Sequence, residues 1–90
     1  MKTLRIYISG TVQGPLFKKY LEDEGKRIGV RGFLRQTEDG RIEVVAEGLD
    51  EKVLAMLEVC KTGTKHATIR DVQVSEIKFQ GFEGFKIFRL

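Results

Sequence analysis

The sequence predicts an α+β fold in which two helices cover one face of an antiparallel sheet, with the element order β-α-β-β-α-β. Three observations predict it: period-two alternation of apolar residues near the start, helical spacing after a glycine-rich turn, and an Asp-Gly pair between two apolar strands. This split βαβ arrangement leaves the second face of the sheet to solvent. A chain of 90 residues supports one core, so residues 1–90 form a single domain.

The first half of the chain contains a strand followed by a helix. Apolar residues at positions 4, 6 and 8 alternate with polar ones, which is typical of a strand with one buried face. After the glycine-rich turn, apolar side chains fall at helical spacing, and Gly29 provides a stop for this helix. The side chains with that spacing are Phe17, Tyr20, Leu21 and Ile28.

The second half supplies the remaining elements. Residues 30–36 and 41–47 are predicted strands, and the turn 37–40 with its Asp-Gly pair joins them as an antiparallel hairpin. Asp50 is the expected N-cap of a second helix, which carries Val53, Met56, Leu57 and Cys60. A fourth strand is predicted over residues 72–79 and a short extra C-terminal strand over 85–88. The order is that of a ferredoxin-like sandwich.

Composition limits the classes of partner. The net charge of +3 favours anionic partners modestly, but the charges are interspersed, so no nucleic-acid partner is expected. Cys60 is the only cysteine, which excludes an intrachain disulfide and indicates a cytoplasmic protein. No segment has the apolar length of a membrane span or the apolar core of a signal peptide. The sequence leaves the oligomeric state and any protein partner open.

The segment from Ser9 to Lys18 is the strongest functional signal. It joins the first strand to the first helix through a glycine-rich turn and ends on a cation. Such a turn directs backbone N–H groups towards an anion, and the helix N-terminus adds the positive end of its dipole. The segment therefore predicts a phosphate cradle formed by Val12, Gln13, Gly14, Pro15, Leu16, Phe17 and Lys18.

The sequence also resembles the acylphosphatase family over nearly its whole length. Residues 10–18 resemble that family's active loop, whose pattern runs Gly-x-Val-Gln-Gly-Val-x-Phe-Arg. Four further stretches match in the order that the fold requires, namely residues 32–35, 39–44, 67–74 and 82–87. The resemblance implies a small hydrolase, with no metal or cofactor, that cleaves the carboxyl-phosphate bond of acyl phosphates. In that family the loop amides and an arginine hold the phosphoryl group, and an asparagine on the second strand orients the attacking water.

Two positions depart from the family pattern. Lys18 stands where the family has its arginine, so the charge remains but the planar fork that grips two phosphate oxygens is lost. One lost charge-assisted hydrogen bond costs about 1.5–3 kcal/mol, or roughly ten- to a hundredfold in turnover. Gln36 replaces the asparagine and keeps the amide on a side chain one methylene longer. The resemblance thus assigns catalytic roles to Lys18 and Gln36, with altered geometry.

The cradle itself has two further departures. Pro15 has no N–H to offer an oxyanion, although proline is also a common first residue of a helix. Leu16 is bulkier than expected and either narrows the mouth of the cradle or covers the core. We expect hydrolysis to be weakened or lost; the alternative is a noncatalytic module that binds an anion or another protein through the same fold.

Three other features of the sequence are weaker signals of function. His66 is the only histidine and has no partner at metal-ligand spacing, so it is interpreted as a loop residue. Cys60 has no companion base and is predicted to pack as a small apolar residue. The stretch Arg31-Gly32-Phe33 resembles an RNA-binding strand only faintly, because the neighbouring predicted strand 41–47 carries no aromatic residue.

Overall fold

The computed structural model describes residues 1–12 and 14–89. It contains five strands and two helices: β1 (Lys2–Thr11), α1 (Pro15–Ile28), β2 (Arg31–Gln36), β3 (Ile42–Gly48), α2 (Asp50–Thr62), β4 (Thr68–Glu76) and β5 (Phe85–Ile87). The element order confirms the predicted ferredoxin-like sandwich with a short extra C-terminal strand.

The five strands form one sheet in the order β4-β1-β3-β2-β5. β1 lies between β3 and β4 and pairs antiparallel with both, and β2 pairs antiparallel with β3. β5 is the exception, because it runs parallel to β2 over three residue pairs. It therefore covers only Gly32 to Leu34 and leaves the last two residues of β2 at the edge of the sheet.

The core lies between the sheet and the two helices. Inward side chains of β1 and β3 pack with apolar residues of both helices, among them Leu21 of α1 and Met56 and Cys60 of α2, all fully buried. α1 ends at Gly29, whose φ of 94° is a left-handed conformation that glycine adopts without strain. The predicted end of α1 at Gly29 and the predicted 37–40 hairpin turn are confirmed.

The face of the sheet away from the helices is less open than predicted. All seven residues of β3 are buried, including Glu43 and Glu47, which point away from the helices. The Glu43 carboxylate accepts hydrogen bonds from Tyr7 Oη at 3.2 Å and from Arg35 Nε, and Arg5 Nε lies 3.3 Å from it. These long side chains cover the centre of the face, so the expectation that it meets solvent was wrong there.

The chain after β4 covers a second part of the same face. The Glu47 carboxylate accepts three backbone N–H bonds, from Gln80 at 2.6 Å, Gly81 at 2.9 Å and Phe82 at 3.0 Å. The segment 77–84 is thereby tied down onto β3. This contact also explains why β4 ends at Glu76 and not at the predicted residue 79: the chain leaves the sheet to reach Glu47.

The start of α2 differs from the prediction in one residue. Asp50 is the first residue of the helix, and Leu49 occupies the N-cap position in an extended conformation. The Leu49 carbonyl accepts the N–H groups of Lys52 and Val53, both at 3.0 Å. Asp50 and Glu51 still favour the helix, because negative charges in the first turn complement its dipole.

Candidate active site

The turn between β1 and α1 starts at an irregularity in the sheet. The β1–β4 register shifts between Ser9 and Gly10, and a Cβ on Gly10 would lie 2.0 Å from the Thr68 carbonyl oxygen. Bulges of this kind redirect a strand and are frequent beside active sites. The close approach of the two backbones therefore requires glycine at position 10. Gln13, which the sequence places in the cradle, lies outside the described residues.

The first turn of α1 offers backbone donors. Gly14 caps the helix with φ 99° and ψ 164°, and Pro15 is its first residue, a position where proline is common. At a helix start the first N–H groups have no acceptor within the helix, which applies here to Leu16 and Phe17. Pro15 has no N–H, so the helix start presents one donor fewer than it would with any other residue.

The loop side chains have different surroundings. Val12 is fully buried and Phe17 nearly so, and both belong to the core, where Phe17 stacks on Tyr20 with ring centroids 6.2 Å apart. These two side chains anchor the ends of the loop. Leu16 is 85% exposed, so it does not cover the core, which was one of its two expected roles.

Lys18 and Gln36 line the same surface pocket. Its volume is about 330 Å³, and its other lining residues are Arg35, Phe88 and Arg89. The pocket lies where β2 extends beyond the end of β5, beside the first turn of α1. The fold thus brings together the two residues to which the resemblance gave catalytic roles. The loop residues Val12 and Gly14 to Phe17 are not part of its lining.

The pocket is strongly cationic. Lys18, Arg35 and Arg89 lie in its wall, and the ion pair of Arg35 with Glu43 offsets part of the Arg35 charge. Arg35 donates through Nε to the buried Glu43 carboxylate, and this hydrogen bond and the attraction between the two charges raise the pKa of Arg35. Cations that converge on a pocket beside a helix N-terminus favour an anionic ligand.

Gln36 is oriented by the hairpin turn. Its Nε2 donates to the Gly40 carbonyl at 3.4 Å, which is a long hydrogen bond. This hydrogen bond through Nε2 therefore holds the amide group only weakly. Its oxygen is the acceptor that a water molecule in the pocket would use.

Sequence reasoning missed Arg35, Phe88 and Arg89. Arg35 and Gln36 are consecutive residues of β2, so their side chains point to opposite faces of the sheet. Both can line one pocket only because this end of β2 lies at the edge of the sheet. Phe88 and Arg89 reach the pocket because the chain continues along β2, with Phe88 N–H donating to the Leu34 carbonyl at 2.7 Å. The sequence did not reveal that β5 runs parallel to β2, which is what brings Phe88 and Arg89 to the pocket.

Cys60 and His66 lie elsewhere. Cys60 is buried in α2, and burial raises the pKa of its thiol to about 12, which confirms the prediction of a small apolar packing residue. His66 is exposed in the turn between α2 and β4, where its backbone N–H donates to Thr64 Oγ1 at 3.3 Å. This confirms its interpretation as a loop residue.

A ferredoxin-like sandwich with a cationic pocket beside a glycine-rich strand-to-helix loop defines a class of small α+β domains. Comparison with known proteins narrows that class. The sequence profile of the acylphosphatase family matches residues 4–87, and the chain belongs to this family. Neither helix in residues 1–12 and 14–89 has the length and apolar character needed to cross a membrane.

Individual relatives agree with this assignment. An acylphosphatase of Haloquadratum walsbyi is 40% identical over 84 residues, covering 93% of this chain and 90% of the relative. One from Pseudomonas paraeruginosa is 38% identical over 86 residues, covering 96% and 94%. The crystal structure of the Bacillus subtilis acylphosphatase superposes with a TM-score of 0.93 at 29% identity, covering 99% of this chain and all of that one.

Proposed function

We propose that this protein binds the phosphoryl group of an acyl phosphate between the start of α1 and the end of β2, and hydrolyses the carboxyl-phosphate bond slowly. The observation that carries the proposal is that Lys18 and Gln36 line one pocket together with Arg35 and Arg89. Family membership supports the substrate class. A cytoplasmic location stays a prediction.

Each group has a role that follows from its chemistry. The Lys18 ammonium and the N–H groups of Leu16 and Phe17 bind the phosphoryl oxygens, and Arg35 and Arg89 add positive potential around them. The amide oxygen of Gln36 accepts a hydrogen bond from a water molecule and orients it towards phosphorus.

The hydrolysis step itself requires little catalysis beyond binding and orientation. As the water oxygen bonds to phosphorus, the bond from phosphorus to the carboxyl oxygen breaks, and the carboxylate leaves. The products are a carboxylate, inorganic phosphate and a proton released to solvent. A carboxylate is a good leaving group, so positioning and charge stabilisation supply most of the catalysis.

Slow turnover follows from the departures in the site. Lys18 binds phosphate as a point charge and not as a planar fork, and Pro15 removes one N–H donor. Gln36 carries its amide on a longer side chain, and a displacement of about 1 Å in a positioning group costs on the order of a hundredfold in rate.

A second candidate is anion binding without turnover. The contact between Gln36 Nε2 and the Gly40 carbonyl favours it, because this contact draws the amide towards the hairpin turn. Residues that act as a unit also lose activity together when several are altered. The domain would then bind phosphate or a carboxylate at the same pocket.

Hydrolysis of acetyl phosphate tests both candidates. We expect measurable turnover by the native protein and a gain of roughly tenfold to a hundredfold in kcat/KM for the double variant Lys18→Arg with Gln36→Asn. Lys18→Met should lose at least about tenfold. The matched control is Lys19→Met, because Lys19 is exposed and pairs with Asp23 at 3.0 Å on the outer side of α1; it should leave the rate unchanged.

Binding of inorganic phosphate by calorimetry separates the two candidates. Phosphate binding that Lys18→Met weakens, with turnover no faster than in solvent, supports anion binding alone. No phosphate binding and no gain by the double variant would contradict both.

A further inference from the structure

A second, larger groove lies beside the cationic pocket. Its volume is about 570 Å³, within the range typical of small-molecule sites. Three phenylalanine rings dominate its wall, those of Phe33 on β2, Phe82 in the segment after β4 and Phe88 after β5. Lys86 and Glu83 add one charge of each sign, so the groove itself has no net charge.

The rings are arranged so that they do not fill the groove. Phe33 and Phe82 meet edge to face, with centroids 5.6 Å apart and an interplanar angle of 73°. Phe88 is tilted by 55° to Phe33 at 6.0 Å, and 51% of Phe88 is exposed. Tilted aromatic rings at these distances attract one another and still present faces and edges to a third apolar group.

Phe88 joins the groove to the pocket. It lines both, and its N–H bond to the Leu34 carbonyl at 2.7 Å fixes its backbone beside the end of β2. A ligand that crosses Phe88 thus passes from a wall with three cations to a wall with three aromatic rings. An acyl phosphate has this same division, with an anionic phosphoryl end and an acyl end.

We propose that the groove binds the acyl group of the substrate, and that this protein prefers acyl phosphates with an aromatic or branched apolar acyl group. The inference rests on the proposed function, because it takes the phosphoryl group to sit in the pocket of Lys18 and Gln36. A phenyl group offers the three rings far more apolar surface than a methyl group does, so it gains more from contact with the groove. The preference therefore arises from burial of apolar surface against the three rings.

Stable analogues test the preference without requiring turnover. In phenacylphosphonate and acetonylphosphonate a CH₂ group replaces the bridging oxygen of benzoyl phosphate and acetyl phosphate. We expect calorimetry to show that the native protein binds the phenacyl compound about tenfold more tightly, a difference of about 1.4 kcal/mol. Phe82→Ala should bring the two affinities together and leave the affinity for inorganic phosphate unchanged.

The matched control is Phe79→Ala. Phe79 is an exposed phenylalanine in the same segment and does not line the groove, so its removal should keep the tenfold preference. Equal affinities for both analogues in the native protein, with phosphate still bound, would overturn the acyl-group inference and leave the proposed function intact. If neither the analogues nor phosphate bind, the proposed function fails, and the inference fails with it.

Discussion

Thr3 and Glu47 face each other across β1 and β3, and the Thr3 hydroxyl donates a 2.6 Å hydrogen bond to the Glu47 carboxylate. The other donors to this carboxylate are the backbone N–H groups of Gln80, Gly81 and Phe82. Glu47 is only 1% exposed, so these bonds replace nearly all of its contact with water. One buried charge thus ties the segment that carries Phe82 to the centre of the sheet.

Glu47→Gln should destabilise the protein by about 3 kcal/mol. The amide oxygen of glutamine can still accept hydrogen bonds, but its NH₂ group cannot. The N–H donors that face the NH₂ group are therefore buried without an acceptor. Urea unfolding measures the change. Glu76→Gln is the control, because the Glu76 side chain is 63% exposed and its pair with Lys2 is worth less than about 0.5 kcal/mol. Equal stability of the two variants would contradict this account of Glu47.

The same carboxylate predicts a dependence of stability on pH. Burial alone would raise the pKa of Glu47, but the N–H and hydroxyl donors outweigh it and hold the pKa below its ordinary value of 4.5. A carboxyl that is more acidic in the folded chain stabilises the fold fully above its unfolded pKa. This contribution is lost as the pH falls through the folded pKa, because the unfolded chain binds the extra proton.

The free energy of unfolding should therefore be lower near pH 3 than near pH 6, and part of that decrease should be absent in Glu47→Gln. Urea titrations at both pH values measure it. The same decrease in native protein and variant would assign the acid sensitivity to other carboxyl groups.

Pro15→Ala should strengthen phosphate binding about tenfold. The alanine restores an N–H group in the first turn of α1, and a hydrogen bond to a charged acceptor is worth about 1.5–3 kcal/mol before the anion's lost hydration is counted. The fold should lose about 0.4–1 kcal/mol, because proline restricts the unfolded chain. Calorimetry with phosphate checks the first effect and thermal unfolding the second. An unchanged affinity would mean that phosphate does not contact the start of α1.

Cys60 should resist thiol reagents in the folded protein. Burial raises the pKa of its thiol from 9.0 to about 12, which alone lowers the thiolate fraction at pH 8 about a thousandfold. Its reaction with a disulfide reagent should therefore be limited by unfolding, and should become fast in guanidinium. Rapid labelling under native conditions would show that α2 opens readily.

Much of the fold could be predicted because it rests on local patterns. The alternation at Leu4, Ile6 and Ile8, the stop at Gly29 and the Asp39-Gly40 turn each act within a few neighbouring residues. The predicted end of β4 was wrong because Ile77 and Phe79 form an apolar alternation of their own, out of phase with that of Val72 and Val74. Glu47, which is distant in the sequence, draws the chain away from the sheet there.

Part of the site could also be predicted from local sequence patterns. Lys18 and Gln36 were found through their places in the family pattern, and the structure brings them to one pocket. Arg35 and Arg89 were missed because their approach depends on where β5 stops along β2, which no local pattern encodes. The groove of Phe33, Phe82 and Phe88 likewise joins three separate parts of the chain.

The two edge strands of the sheet determine whether copies of this chain can pair strand to strand. β5 is only three residues long, so it offers a short template for pairing with another strand. β4 is nine residues long and lies at the other edge, but it carries the register shift opposite Ser9 and Gly10 and the adjacent charges of Arg70 and Asp71. Irregular and charged edges resist strand-to-strand aggregation. The register shift that redirects the chain into the loop between β1 and α1 therefore also helps to keep the domain from polymerising.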